Sequence, residues 1–180
     1  MRAGRSSPAP SRAVGTVGNE SPSRSHMKRP YSEGSVFLVP LRNGEYARGI
    51  VARAPLRAGK ILLGYFFGPG VTTAHAVAYD DLEPDRAILR VRFGDLGLIN
   101  GSWPVLGILP NWQRLNWPFP DFVRRELFTN RAYLVHYVDA DPRKREFEKP
   151  VDPGCELPED GLWGSGAVEI RLTKLIAPPA

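Results

Sequence analysis

The sequence predicts a mainly β domain of the α+β class: a single bent or partly closed antiparallel sheet carrying one or two short helices. Three observations predict it. Residues 34–69, GSVFLVPLRNGEYARGIVARAPLRAGKILLGYFFGP, write out three strands and both of their connections. The 18 glycines and 18 prolines among 180 residues favour short strands and frequent turns over long helices. Hydrophobic residues make up 42% and charged residues 24%, an ordinary globular balance with room for one proper core.

Residues 1–33 are rich in Ser, Pro and Arg, and only Val14 and Val17 are sizeable apolar residues before Met27. Such a segment cannot bury enough surface to offset its ordering entropy, so it reads as a disordered basic tail ahead of a domain over 34–177. It lacks the apolar run of about 7–15 residues that a secretory signal needs. Met27 is an alternative start.

Ser35 to Leu41 is apolar and β-branched, and Arg42-Asn43-Gly44 follows it. Asn-Gly between two strand-like runs predicts a type I′ hairpin. The second strand, Glu45 to Ala54, alternates imperfectly: Tyr46, Ile50 and Ala52 share a face with Arg48. Pro55 to Gly59 turns the chain into Ile61 to Phe67, whose run ILLGYFF is apolar on both faces and therefore buried on both. That places the third strand mid-sheet, with Gly49 and Gly64 marking a bend or a close approach. Pro40 cannot donate to a ladder, which puts its side of the first strand at an edge or a bulge.

Beyond Gly68-Pro69-Gly70, the segment Thr73 to Leu82 has roughly helical spacing and predicts a short helical turn. Ala87 to Phe93 is a fourth strand. Gly94 to Gly101 reads as a turn with a short apolar return, and Val105 to Leu109 as another strand. Pro110 to Phe122 packs Trp112, Trp117, Phe119 and Phe122 among prolines and predicts an aromatic lid over one end of the sheet. Arg131 to Val138 is a further strand, and Asp139 to Pro153 a charged loop. Ser165 to Ile176 fits two readings: VEIRL (168–172) alternates like a strand, whereas Val168, Leu172, Leu175 and Ile176 share one helical face, and Ser165 as N-cap tips the reading to a helix.

Charge narrows the functional classes. The net charge of +5 divides unevenly: residues 1–33 carry +4 and the remaining 147 residues +1. A near-neutral body argues against a nucleic-acid partner, which needs a clustered basic face. No window approaches the roughly 18 consecutive apolar residues of a membrane span. The single cysteine, Cys155, forms no internal disulfide framework and suits a cytoplasmic, reducing setting.

Five segments carry a family resemblance: Phe37 with Pro40-Leu41, Asn43-Gly44, Tyr46 and Gly49; LLGYFFGP (62–69); RFGDLGL (92–98); Trp117-Pro118 with Pro120; and AVEIRLTKL (167–175). Together they resemble the family that joins immunity protein 26 with the phosphotriesterase HocA, over about residues 34–177. The resemblance implies either of two functions. One is hydrolysis of organophosphate triesters of the coroxon type, a small-molecule substrate. The alternative is an immunity protein that binds and neutralises a bacterial toxin. The length of the third strand and of the body looks closest to the hydrolase, so the expectation is a phosphoric-triester hydrolase.

Such chemistry needs an activated nucleophile and stabilisation of charge on the phosphoryl oxygen. The body holds only His75 and His136, which excludes an all-histidine binuclear site. A mixed site for one divalent metal ion would use His75, His136, Asp80 and Asp139, with His136, His75 and Asp139 as catalytic groups. Trp112, Trp117 and Arg92 would line a substrate pocket, the aromatics stacking on a leaving group and the guanidinium polarising the phosphoryl oxygen. The structural alternatives are a lid that closes the core and arginines on a solvated face. Cys155 with His136 as base is a further nucleophile candidate, although Asp152 and Glu156 beside it would raise a thiol pKa. For the immunity alternative, the acidic loops Asp80 to Asp85, Asp139 to Asp141 and Glu156 to Asp160 offer electrostatic complementarity to a basic toxin site.

Overall fold

The computed structural model describes residues 29–55, 60–73 and 78–177, and these form two sheets with one helix of three turns. The first sheet has the order β5-β1-β2-β3-β4-β9. Its members are β1 (Ser35–Pro40), β2 (Tyr46–Arg53), β3 (Ile61–Val71), β4 (Leu89–Gly94), β5 (Val105–Ile108) and β9 (Leu162–Trp163). The second has the order β6-β7-β8, from β6 (Phe122–Arg125), β7 (Ala132–Tyr137) and β8 (Arg145–Val151). The mainly β expectation holds. The single antiparallel sheet is corrected to two, and the larger one is mixed because β9 runs parallel to β4.

The meander forms as the sequence predicts, with β3 between β2 and β4. Its first turn is of another type. Type I′ requires two positive φ angles, but only Gly44 has one, at 87°. The Gly44 amide donates to the Leu41 carbonyl at 3.1 Å and the Leu41 amide to the Glu45 carbonyl at 2.8 Å. This is a turn closed by a left-handed glycine, the three-residue hairpin solution. Pro40 lies beyond the reach of β5, whose pairing stops at Phe37↔Val105, so its missing donor costs no ladder bond. Gly49 and Gly64 are sites of close approach. A Cβ at Gly49 would stand 2.4 Å from the Phe37 ring, and one at Gly64 would stand 2.6 Å from the Phe93 ring.

Both faces of the larger sheet are covered. On one, Phe37, Phe66, Phe93 and Val91 pack against Trp103 and against Val168 and Leu172 of helix α2 (Ser165–Ile176). Phe37 and Trp103 stack at 5.7 Å. Gly94 to Gly101, expected as an apolar return, contains the single helical turn α1 (Leu96–Ile99), over which Trp103 folds. On the other face, Ile50, Leu63, Tyr65 and Phe67 meet Trp117, Phe122, Val135 and Tyr137 of the lid and the second sheet.

Helix α2 lies where the sequence predicts it, but its N-cap is Gly164 and Ser165 is the first helical residue. Of the turn expected over 73–82, residues 74–77 lie outside the described residues; a 3-10 turn stands further on, at Pro84–Arg86. The charged loop Asp139 to Pro153 is corrected: it contains β8. Arg145-Glu146-Phe147-Glu148-Lys149-Pro150-Val151 has no apolar face because this strand is an exposed edge. The packed region also reaches back before Gly34, since Tyr31 is buried and donates to Asp95 at 2.7 Å.

Candidate functional site

The meander face that carries Ile50, Tyr65 and Phe67, on which Arg48 broke the alternation, also carries buried arginines, Arg53 following the register shift between Val51 and Arg53. Arg48, Arg53 and Arg92 are all buried. A buried guanidinium must be paired, and each one is. Arg48 holds Asp81 bidentately at 2.5 and 2.8 Å and donates to the Gly68 and Ala78 carbonyls. Arg53 pairs with Asp139 at 2.7 Å. Arg92 pairs with Asp160 at 3.0 Å, donates to the Pro142 carbonyl and lies 3.8 Å over the Tyr137 ring. The Arg48 hydrogen bond holds the Asp81 carboxyl below the usual range, while burial and then the Asp160 hydrogen bond push the Tyr137 hydroxyl up.

These pairs disperse the residues expected to form a catalytic site. Asp139 bridges Arg53 and Arg114 rather than standing beside His136. Alternation along β7 turns Val135 and Tyr137 inward to the core, which sets His136 on the outer side. There its Nδ1 lies 2.6 Å from Asp121, its Nε2 lies 3.5 Å from Glu146, and its ring stacks on Phe147 at 4.8 Å. The two carboxylates sit on opposite ring nitrogens and do not converge on one point. Asp80 is exposed, and His75 lies outside the described residues. Among the described residues no group of three or more His, Cys, Asp or Glu is placed to hold a metal ion.

The expected pocket residues are likewise placed by packing. Trp117 is 3% exposed and meets Tyr65 and Phe67 edge-on, and Trp112 tilts against it at 5.4 Å. Arg92 is bound to Asp160. Cys155 is a free cysteine in the turn after β8, and its carbonyl accepts from Arg125. The acidic loops are largely neutralised as well. Asp81, Asp139, Asp141, Glu159 and Asp160 each pair with an arginine, so they do not form a free negative face.

What the fold does present is the tip of the β6–β7 hairpin. The Glu126 amide donates to the Arg131 carbonyl at 2.9 Å, Thr129 donates to the Glu126 carboxylate, and Asn130 takes φ 50°. This closed turn holds Leu127 and Phe128 outward at 91% and 96% exposure. Isolated apolar side chains are common on surfaces, but two adjacent ones held almost wholly in water on an ordered turn are the form of a contact anchor. Below the tip, Leu134 is half-buried on the outer side of β7, and Phe147 of β8 is exposed beside His136. Sequence reasoning passed over this segment. The available signal was the Leu-Phe pair followed by the turn residues Thr129-Asn130 between two strand-like runs.

The class so defined is a mainly β domain that pairs its buried arginines with carboxylates internally and exposes two apolar side chains at one hairpin tip. The model of the family immunity protein 26 matches residues 32–134, more than half of the chain, and the chain belongs to that family. No curated protein and no solved structure matches it. The family match corrects the expectation of an enzyme. It is a family of immunity proteins, and nothing in the comparisons supports organophosphate hydrolysis or the HocA side of the resemblance. No helix among the described residues is long and apolar enough to cross a membrane.

Proposed function

We propose that this chain is an immunity protein that neutralises a bacterial toxin by binding it, and that the β6–β7 hairpin tip anchors the complex. Membership of the immunity protein 26 family supports the binding role. The observation that carries the site is the pair Leu127 and Phe128, exposed on a turn closed by its own hydrogen bonds. A preordered apolar knob loses little entropy on docking, and aromatic anchors of this kind dominate interface energies. The acidic loops are largely neutralised by arginines, which favours apolar burial over net charge as the main source of affinity.

Growth rescue tests this reading. Cells producing a partner toxin domain should survive when the chain is co-expressed, and the purified pair should bind in calorimetry. Phe128→Ser should weaken that binding by about 30-fold or more, the scale of a hot-spot residue worth about 2 kcal/mol. Survival and affinity untouched by Leu127→Ser and Phe128→Ser together would remove the tip from the interface. Failure to protect against any toxin domain would overturn the immunity role itself.

A further inference from the structure

Alongside the first half of β4 the larger sheet leaves a gap. The Asp95 amide donates to the Lys60 carbonyl at 2.9 Å, and the pairing of β3 with β4 then runs without a slip from Ile61↔Gly94 to Phe66↔Leu89. Odd-numbered residues of β4 therefore bond to β3, and Arg90 and Arg92 turn their peptide groups outward. β9 reaches only Arg92 and Phe93, so no strand lies opposite Arg90. The chain just before β9 is held elsewhere. The Val123 amide of β6 donates to the Pro158 carbonyl and the Val123 carbonyl accepts from the Asp160 amide, which turns the Glu159 peptide groups away from β6.

A cleft of about 520 Å³ occupies that gap, a size that suits a small ligand. Its apolar lining includes Leu89, Val91, Leu157 and Trp163. Val91 belongs to the helix-side core and Leu89 and Trp163 pack against it, so this wall is fixed by the fold. Two arginines also line the cleft, and they differ. The Arg90 guanidinium donates to the Pro84 carbonyl at 2.6 Å and lies 5.4 Å over the Tyr65 ring, so it is already engaged. Arg171 of α2 is exposed, and its side chain has no ion pair or hydrogen bond among the described residues. The one lining carboxylate, Glu159, is paired with Arg125. An apolar space with one uncompensated cation favours an occupant that is apolar and carries a negative charge.

We propose that this cleft binds a small aromatic carboxylic acid, with the ring among Leu89, Val91, Leu157 and Trp163 and the carboxylate on the Arg171 guanidinium. A planar guanidinium matches a carboxylate bidentately, and an indole takes an aromatic ring edge-on or offset. The acid supplies the charge that the lining lacks, whereas a cationic ligand would meet Arg171 with like charge. The cleft shares no lining residue with the β6–β7 tip, so the site does not rest on the toxin reading.

The test is a solution NMR titration of the uniformly ¹⁵N-labelled full chain with 3-phenylpropionate and with its neutral primary amide, 3-phenylpropanamide. The acid should give saturable shifts at the Arg90 and Glu159 amides and at the Trp163 indole N–H, with a dissociation constant of about 1–5 mM, the scale for a ligand of this size. The amide should bind about two- to five-fold more weakly, the worth of one exposed ion pair. Arg171→Gln, at an exposed position, should bring the acid down to the affinity of the amide and leave the amide unchanged. Phe128→Ser should leave both titrations unchanged, which keeps this result separate from any failure at the hairpin tip. Acid-induced shifts that do not saturate, shifts centred outside the cleft, equal binding of acid and amide, or concentration-dependent shifts at Arg90 and Glu159 without ligand, which would seat a second copy there, would each overturn the proposal.

Discussion

The two sheets solve opposite problems. The six-stranded sheet buries both faces of its central strands: Phe37, Phe66 and Trp103 are fully buried on one face, and on the other even the buried arginines are paired with carboxylates. The three-stranded sheet is covered on one face only, by the core, and ends in a tip where Leu127 and Phe128 are left in water. Burial is where stability comes from, and unburied apolar surface is what association draws on. On the reading proposed above, stability then belongs chiefly to the first sheet and recognition to the second, and substitutions in each should separate the two properties.

The largest effect belongs to Trp103. It is fully buried, stacks with Phe37 and meets Phe66 and Phe93, and its indole N–H reaches Glu169 of α2 at 2.9 Å. Trp103→Ala should cost about 3–5 kcal/mol in denaturant unfolding, the range for emptying a core aromatic site. A loss below about 1 kcal/mol would show that the helix-side core repacks, and would blur the contrast between the sheets.

Next comes the polar interior. Arg48→Ala should cost about 3 kcal/mol, at the low end for breaking a buried pair because the Asp81 side chain keeps 34% of its surface in water. The pairing also predicts a pH dependence. Asp81 has a depressed folded pKa, first through its Arg48 hydrogen bond, so its stabilising contribution is present above the unfolded value near 3.9. That contribution is lost as pH falls through the folded value. Urea midpoints measured from about pH 5 downward should fall less steeply in Arg48→Ala than in the wild type. Equal slopes would mean that the acid sensitivity resides in other carboxylates.

The first hairpin offers a smaller and cleaner probe. Gly44 has φ 87° and nothing within 4 Å of where a Cβ would stand, so any penalty there is conformational rather than steric crowding by neighbours. Gly44→Val should cost about 1–2 kcal/mol, the price of a left-handed L-residue. A melting temperature equal to the wild type would show that the turn rearranges without loss to the sheet.

The same contrast explains what the sequence made legible. The meander could be read because β3 is apolar on both faces and Asn43-Gly44 punctuates the chain, although the turn type could not. Asn43 and Gly44 fit either of two hairpin turns, and only the backbone angles separate them. α2 was legible from Val168 and Leu172 on one face. β8 was hidden because an exposed edge strand needs no apolar face, and Arg145 to Val151 supplies none. The site was least legible. Arg48 and Asp81 are 33 residues apart and Arg92 and Asp160 are 68 apart, so pairing that only tertiary structure creates looked like free acids and free arginines. Local acid-and-histidine spacing then suggested a metal-dependent hydrolase, and the family match corrected the enzyme.

The smallest expected change in stability is the most telling. If Leu127 and Phe128 served the fold, truncating them would empty packed space. At 91% and 96% exposure they have almost no packed space to empty. Phe128→Ser should therefore move unfolding by no more than about 0.5 kcal/mol, the usual range for a surface position. The hairpin itself should persist, because the turn is closed by the Glu126–Arg131 backbone bond and the Thr129–Glu126 contact, neither of which uses the ring. Paired with a large loss of toxin affinity, that near-zero value would show recognition uncoupled from folding at this tip. A destabilisation above about 1.5 kcal/mol would instead mean that Phe128 packs in solution against a part of the chain, and the second sheet would then belong to the core as fully as the first.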